Sequence, residues 1–178
     1  VVQELFTAHG FNSTQVEDAC KAIGQKEKFA RFFYSGEQMI VVEKEFIRLT
    51  PRNVQVEEEL FSDWSALLRS KQLKVEKLNS FAMPSKDQLL IERSGLLFPL
   101  KWRRWKSGDR IVPFGMKGSK LISDLLKEGG VGVSERKKSM VLENGNQDIL
   151  WLEGIRSHER YRVNKKSKEL ILVQRRER

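Results

Sequence analysis

The chain has 178 residues, 39% hydrophobic and 32% charged, with 33 Lys and Arg against 24 Asp and Glu for a net charge of +9. That composition supports a packed core and rules out wholesale disorder, and no apolar run approaches the ~20 residues of a membrane-spanning helix. A single cysteine, Cys20, and two histidines, His9 and His158, exclude an intrachain disulfide and a Cys/His zinc site within one chain. No secretory signal pattern is present, so a soluble cytoplasmic protein is expected. The chain opens on Val1 without an initiator Met and closes on Arg175-Arg176-Glu177-Arg178, which reads as a piece of a longer protein. Charge is unevenly spread: residues 1–100 carry 13 basic and 14 acidic side chains, residues 101–178 carry 20 and 10. A net +10 confined to the last 78 residues points to a polyanionic partner, nucleic acid before an anionic membrane.

Val2, Leu5 and Phe6 share a helical face over residues 2–9, closed by Gly10. Thr14-Gln15-Val16-Glu17 reads as a capping box, followed by Val16, Ala19, Cys20 and Ile23 on a buried face, with Gly24 stopping the helix. Phe29–Tyr34 and Gln38–Leu49 read as two strands of a hairpin around Ser35-Gly36, ended by Pro51. Residues 54–70 fit a helix but could hold a strand near Leu60-Phe61. Further strands are expected at Leu73–Leu78, Gln88–Glu92 and Leu97–Trp102, with a turn at Pro84–Asp87. Ser119–Lys127 reads as a helix burying Leu121, Ile122, Leu125 and Leu126, and Ser134 caps a helical turn reaching Lys138. Met140–Glu143 and Ile149–Glu153 form a hairpin around Asn144-Gly145. Glu159–Val163 and Glu169–Val173 are two more strands. The expected class is α+β. A helix-helix-hairpin piece, residues 1–55, precedes a strand-rich domain, residues 56–178, with the boundary near 51–56.

Catalytic constellations are thin. Neither histidine has a Ser or Cys in a nucleophile setting, and Cys20 falls on an apolar helix face, where free cysteines commonly lie. Gly115 to Lys120 resembles a phosphate loop only superficially, because Gly118-Ser119-Lys120-Leu121 lacks the Gly-Lys-Ser/Thr order. No catalytic residue and no metal ligand is assigned. The strong feature is Lys101-Trp102-Arg103-Arg104-Trp105-Lys106-Ser107-Gly108-Asp109-Arg110. On a strand, Lys101, Arg103 and Trp105 would face one way and Trp102, Arg104 and Lys106 the other. Arginine forks suit phosphate oxygens and tryptophan can stack on a base, although one Trp is expected in the core with Arg stems packed over it. Two more cationic clusters follow, Arg136-Lys137-Lys138 and Arg156, Arg160, Arg162 with Lys165, Lys166 and Lys168.

The run from Leu100 to Arg110, then Pro113-Phe114-Gly115-Met116-Lys117-Gly118, Lys120 and Ile122-Ser123-Asp124, resembles the C-terminal domain of the tRNA(Ile)-lysidine synthetase family. Glu135-Arg136, Val141-Leu142, Ile149-Leu150-Trp151, Gly154-Ile155-Arg156 and Glu159 to Val163 continue the likeness. Gly10 to Asp18 is similar to the helical start of the last part of the family's middle domain. Departures are Leu121 for a second Lys, Gly129–Gly132 for a Lys- and Pro-containing segment, and Met140 for Pro. The family's Ser-Gly-Gly-x-Asp-Ser pyrophosphatase loop does not occur in these residues.

The resemblance implies a parent ligase that uses ATP with Mg to join lysine to C2 of the wobble cytidine in the CAU anticodon of tRNA(Ile). No cofactor is implied for this fragment. It also implies that residues 1–55 end a middle, substrate-recognising domain. The remainder would be a mixed-sheet, barrel-like domain with short helices, similar to one in the phenylalanyl-tRNA synthetase β subunit, that engages the tRNA body and acceptor stem. The expected RNA contacts are Arg103, Arg104, Trp105, Lys106, Arg110, Lys117, Lys120, Arg136 and Arg156. Gly108, Asp109, Gly115, Gly118 and Asp124 are read as structural. A stand-alone RNA-binding module, or a structural or oligomerisation domain with an incidental basic surface, are the alternatives.

Overall fold

The structure is a computed structural model describing residues 2–22, 31–36, 38–43, 46–51 and 58–176. They fall into two compact units, Val1–Gln55 with Gly132–Ser134, and Val56–Val131 with Glu135–Arg178. The boundary expected near 51–56 falls almost wholly on residues outside those described, as do Ile23, Gly24 and Phe29.

The first unit begins with α1 (Val2–Ala8) and α2 (Ser13–Ala22). Helix α1 ends as its sequence requires: Gly10 takes φ 81°, Gly10 N–H donates to the Thr7 carbonyl, and Phe11 N–H donates to that of Phe6. This is a Schellman ending, in which a glycine adopts the left-handed conformation without a Cβ clash. The flanking Phe6 and Phe11 rings meet edge-on at 6.2 Å. Leu5, expected beside Phe6 on the buried face, is exposed. The cap of α2 lies two residues earlier than expected. Asn12 N–H donates to Gln15 Oε1 and Gln15 N–H to Asn12 Oδ1, a reciprocal box in which Asn12 and Gln15 take the places assigned to Thr14 and Glu17. The buried stripe is Val16, Ala19 and Ala22, and Cys20 is exposed rather than in the core.

Three strands follow, β1 (Arg31–Ser35), β2 (Gln38–Glu43) and β3 (Phe46–Pro51), paired antiparallel in that order. The single strand expected over 38–49 is therefore two, and the piece is a three-stranded meander rather than a hairpin. Phe6, Phe11, Val16, Ala19, Ala22, Ile40 and Val42 form its core, with Phe33, Ile47 and Leu49 packed against it. Gln15 Nε2 donates to the Tyr34 carbonyl, tying α2 to β1.

The second unit contains β4 (Glu59–Phe61), α3 (Trp64–Leu68), β5 (Leu73–Leu78), β6 (Gln88–Glu92), β7 (Leu100–Arg104), β8 (Arg110–Ile111), β9 (Lys120–Leu121) and α4 (Ile122–Glu128). Of helix α5 (Val133–Arg136) only Glu135 and Arg136 belong to this unit, and β10 (Met140–Glu143), β11 (Ile149–Leu152), β12 (Arg156–Ser157) and β13 (Leu170–Arg175) complete it. The ambiguous segment 54–70 resolves into β4 and α3, the helix capped by the Asp63 carboxylate accepting from Ala66 N–H at 2.9 Å. Strands β5 and β6 have the expected bounds. Strand β7 begins three residues later than expected, because Leu97 N–H is taken by Asn144 Oδ1 at 2.7 Å and not by a ladder. Helix α4 starts only at Ile122, since Lys120-Leu121 pairs with Ile111-Arg110. Leu121 is accordingly only half-buried. Ser134 lies inside α5 instead of capping it. The strand expected at 159–163 is a 3₁₀ turn, Glu159–Tyr161, in which His158 Nδ1 accepts from Arg160 N–H.

The class is α+β. Every strand pairing among the described residues is antiparallel, where the resemblance implied a mixed sheet. The unit's ladders are β12-β11-β10-β7-β4, β5-β13-β6 and β8-β9. Strands β10 and β11 are buried at all four positions each, as central strands packed on both faces should be. One row across the large sheet runs Trp102, Leu142, Trp151. The two indoles, both fully buried, lie 5.7 Å apart at an interplanar angle of 28°. Such a stacked pair contributes about 0.5–1.5 kcal/mol beyond its area. A second cluster, Ile111, Ile122, Leu125, Leu126, Val141, Ile149 and Leu152, is bordered by Trp105, Val131 and Ile155.

Candidate nucleic-acid interface

Alternation along β7 sorts the cationic run. Trp102 enters the tryptophan stack, so its neighbours Lys101 and Arg103 point to the opposite face, where Glu143 on β10 lies. Arg103 is 7% exposed and makes four side-chain hydrogen bonds. Its Nε donates to Glu143 Oε2 at 2.5 Å, Nη1 and Nη2 to the two Asp109 oxygens at 2.8 and 3.0 Å, and Nη1 also to the Arg104 carbonyl. Lys101 Nζ holds the other Glu143 oxygen at 2.8 Å. Burial opposes charge on both groups, yet the paired hydrogen bonds prevail. Arg103 is pushed above the usual arginine range, and the Glu143 carboxyl is held below the usual glutamate range by Lys101 and Arg103. Arg103, expected to touch RNA, is therefore a buried structural cation.

Other expected contacts are spent partly inside the fold. Trp105 is half-buried against the second cluster, and its indole N–H donates to the Arg136 carbonyl. Arg136 is half-buried with Nε on the Val131 carbonyl at 2.6 Å. Lys120 Nζ sits between the two Glu128 oxygens at 2.9 and 2.8 Å. Arg104 is half-buried, and its N–H donates to Glu58 Oε1 at 3.3 Å. Lys106, Arg110, Lys117 and Arg156 are exposed. Arg110 is steered by Ser119, with Nε on the hydroxyl and Nη2 on the carbonyl.

Asp109 binds Arg103 and accepts from Lys106 N–H at 2.7 Å, closing the turn through Gly108. Gly115 N–H donates to Glu159 Oε2 at 2.6 Å, so this glycine loop spends an amide on a carboxylate and does not form a phosphate cradle. Gly118 is exposed with open space around it. Asp124 makes only an exposed pair with Lys127 at 3.7 Å. Among the described residues no group of three or more His, Cys, Asp or Glu is placed to hold a metal ion. Nor is any helix long and apolar enough to cross a membrane.

Sequence reasoning missed Glu143, the carboxylate that neutralises the middle of the basic run. Its signal is present only in hindsight of register: an acidic residue ends an otherwise apolar strand directly before Asn144-Gly145. It also missed Phe114, which is 40% exposed with the Arg162 guanidinium 5.1 Å from its ring centroid. An aromatic in Pro113-Phe114-Gly115 reads equally well as core.

Residues 100–173 match the family model of the TilS substrate C-terminal domain. The chain is 30% identical over 167 residues to the tRNA(Ile)-lysidine synthase of Bacteroides thetaiotaomicron, covering 92% of this chain and 36% of the relative. It is 25% identical over 179 residues to that of Parabacteroides distasonis, covering 97% and 40%. The chain thus spans well under half the length of these relatives. A crystal structure of a TilS C-terminal domain shares the fold, with a TM-score of 0.51 at 21% identity over 58% of this chain and 80% of that one. Residues 100–173 thus match the TilS substrate C-terminal domain, and the chain as a whole is similar to a part of the tRNA(Ile)-lysidine synthases.

Proposed function

We propose that residues 56–178 dock a tRNA by its body and acceptor stem, and that residues 1–55 end the middle domain of the same cytoplasmic enzyme. In this reading the parent protein uses ATP to join lysine to the wobble cytidine of a tRNA(Ile) with a CAU anticodon. This part of the chain supplies grip and orientation. The ATP chemistry is left to the rest of the parent protein in this reading.

The observation that carries the reading is a match to a substrate domain on a region of net +10 whose exposed side chains include Lys106, Arg110, Lys117 and Arg156. A-form RNA hides its base edges in a deep, narrow groove and offers phosphates and 2′-hydroxyls instead. Exposed cations suit that target: Arg156 lies on β12 of the large sheet that Arg103 helps to hold, Arg110 on β8, and Lys106 and Lys117 in the connecting loops.

The test is fluorescence anisotropy of the 178-residue chain with a tRNA(Ile) transcript bearing CAU, repeated over a range of salt. Contact with about five phosphates gives a log–log slope of roughly −3.5 to −4.5. Binding that is absent at low salt, or that ignores salt, would sink the docking role and favour a structural domain with an incidental basic surface.

A further inference from the structure

One groove of the second unit is not accounted for by phosphate docking. It has a volume of about 310 Å³ and lies between the segment Phe81–Ser85 and the residues around Phe114 and Tyr161–Lys165. That volume is at the small end of ligand pockets. We propose that this groove receives one unpaired nucleotide of an RNA single strand, its base against Phe114 and its phosphate on the surrounding cations. The inference rests on the RNA-docking reading and adds to it a single-stranded element, where that reading needs only a duplex.

Three features favour such an occupant. The wall carries four cations, Lys86, Arg156, Arg162 and Lys165, and no carboxylate among its lining residues. Glu159 lies nearby, but one of its oxygens is held by Gly115 N–H and the other is 3.7 Å from Arg162 Nη1. The site therefore selects an anion and repels an acidic peptide. Second, the aromatic surface is presented rather than packed. Phe114 is fixed through its backbone, its N–H donating to the Ser157 carbonyl at 2.9 Å, while its ring stays 40% exposed. Met83, which also lines the groove, is 78% exposed. Third, the far wall is prearranged. The Tyr161 hydroxyl donates to Asp148 Oδ2 at 2.7 Å and its ring stands edge-on to His158, so the ring cannot swing into the groove. The Arg162 guanidinium covers one side of the ring, 5.1 Å from its centroid, so a base stacks on the ring surface left exposed, with that cation behind it.

The experiment compares two RNA hairpins of the same stem, one blunt and one with a four-nucleotide 3′ extension, by anisotropy with the 178-residue chain. Stacking of one base adds roughly 5- to 140-fold in affinity, so the extended hairpin binds tighter by a factor in that range. Phe114→Ala removes the difference while leaving the blunt hairpin's affinity and the thermal midpoint unchanged, and Phe114→Tyr restores it. Arg156→Gln lowers the affinity of the extended hairpin more than that of the blunt one. A 4-thiouridine in the extension crosslinks to the segment 81–86 or to Phe114. Equal binding of both hairpins, with Phe114→Ala silent, overturns this proposal and leaves duplex docking standing. Failure of both hairpins to bind overturns the docking reading and this one with it. Saturable binding of a free mononucleotide, with the two hairpins still indistinguishable, also overturns it and gives the groove to a small molecule.

Discussion

Arg103 and Asp109, six residues apart, close a two-bond clasp at 2.8 and 3.0 Å, so that the segment most basic in sequence turns its central arginine inward. Arg103 Nε engages Glu143 on the neighbouring strand. The arginine thereby joins β7, β10 and the turn through Gly108.

Arg103→Ala should be a stability mutant. It would strip Asp109 and Glu143, with side chains 15% and 8% exposed, of their shared cation and leave Glu143 to Lys101 alone. Breaking a buried pair by removing one partner costs about 3–5 kcal/mol. Urea unfolding should show that loss, while the folded fraction keeps its tRNA affinity and its salt slope. A variant of unchanged stability and weakened binding would return Arg103 to the RNA surface.

The exposed cations should behave in the opposite way. Lys117→Ala and Lys106→Ala are each expected to leave the urea midpoint in place. Each should flatten the salt dependence of tRNA binding by about one unit if its ammonium meets a phosphate. Anisotropy at three or more salt concentrations reads both quantities.

Gly145→Ala should fail for a packing reason. A Cβ there would lie 2.6 Å from the Leu97 carbonyl oxygen and 2.8 Å from that of Phe98, both backbone atoms that cannot rotate away. The Gly145 N–H already donates to the Leu97 carbonyl at 2.6 Å. Overpacking of this kind costs about 1–3 kcal/mol or more, readable as a lowered thermal midpoint. A neutral substitution would mean the β10–β11 turn yields easily.

Stability should fall on acidification in two stages. Burial holds the His158 pKa below its ordinary value of 6.5, outweighing the carboxylate of Asp148. Its folded form resists a proton that the unfolded chain accepts, so stability is full above about pH 6.5 and declines as pH drops below it. Glu143 and Asp148 are depressed despite burial, the first by Lys101 and Arg103, the second by Tyr161, Asn146 and Arg160. Their share is present above the ordinary carboxylate values of 4.5 and 3.8 and is lost below them. Urea midpoints between pH 8 and 2 test this, and His158→Gln should flatten the upper stage.

Periodicity and turn chemistry made much of the fold legible. Strand β5 follows from alternation, β6 and β10 from short apolar runs, and the Asn144-Gly145 hairpin from a strong turn dipeptide. The errors share a cause, namely partners distant in sequence. Leu97 reads as strand until Asn144, 47 residues on, takes its N–H. Glu159–Val163 alternates well enough for a strand, but His158 caps Arg160 and Tyr161 turns its hydroxyl to Asp148. At the candidate interface the sequence marked the cationic run and could not sort it. Whether Arg103 faces solvent depends on which strand pairs with β7 and on the register that sets Glu143 opposite Lys101.

Strand β13 lies in the middle of its sheet, between β5 and β6, although it comes last in the chain. In ribosomal synthesis, therefore, β5 and β6 emerge without the ladder that separates and satisfies them, and wait for some eighty residues of further translation. Until then the Leu89-Leu90-Ile91 run, buried in the finished sheet, has an open edge on offer to any passing strand. The sheet is completed only when Leu170–Arg175 has left the tunnel. A premature stop just before Leu170 would accordingly expose two hydrophobic edges at once and be expected to yield aggregate rather than a slightly shorter protein.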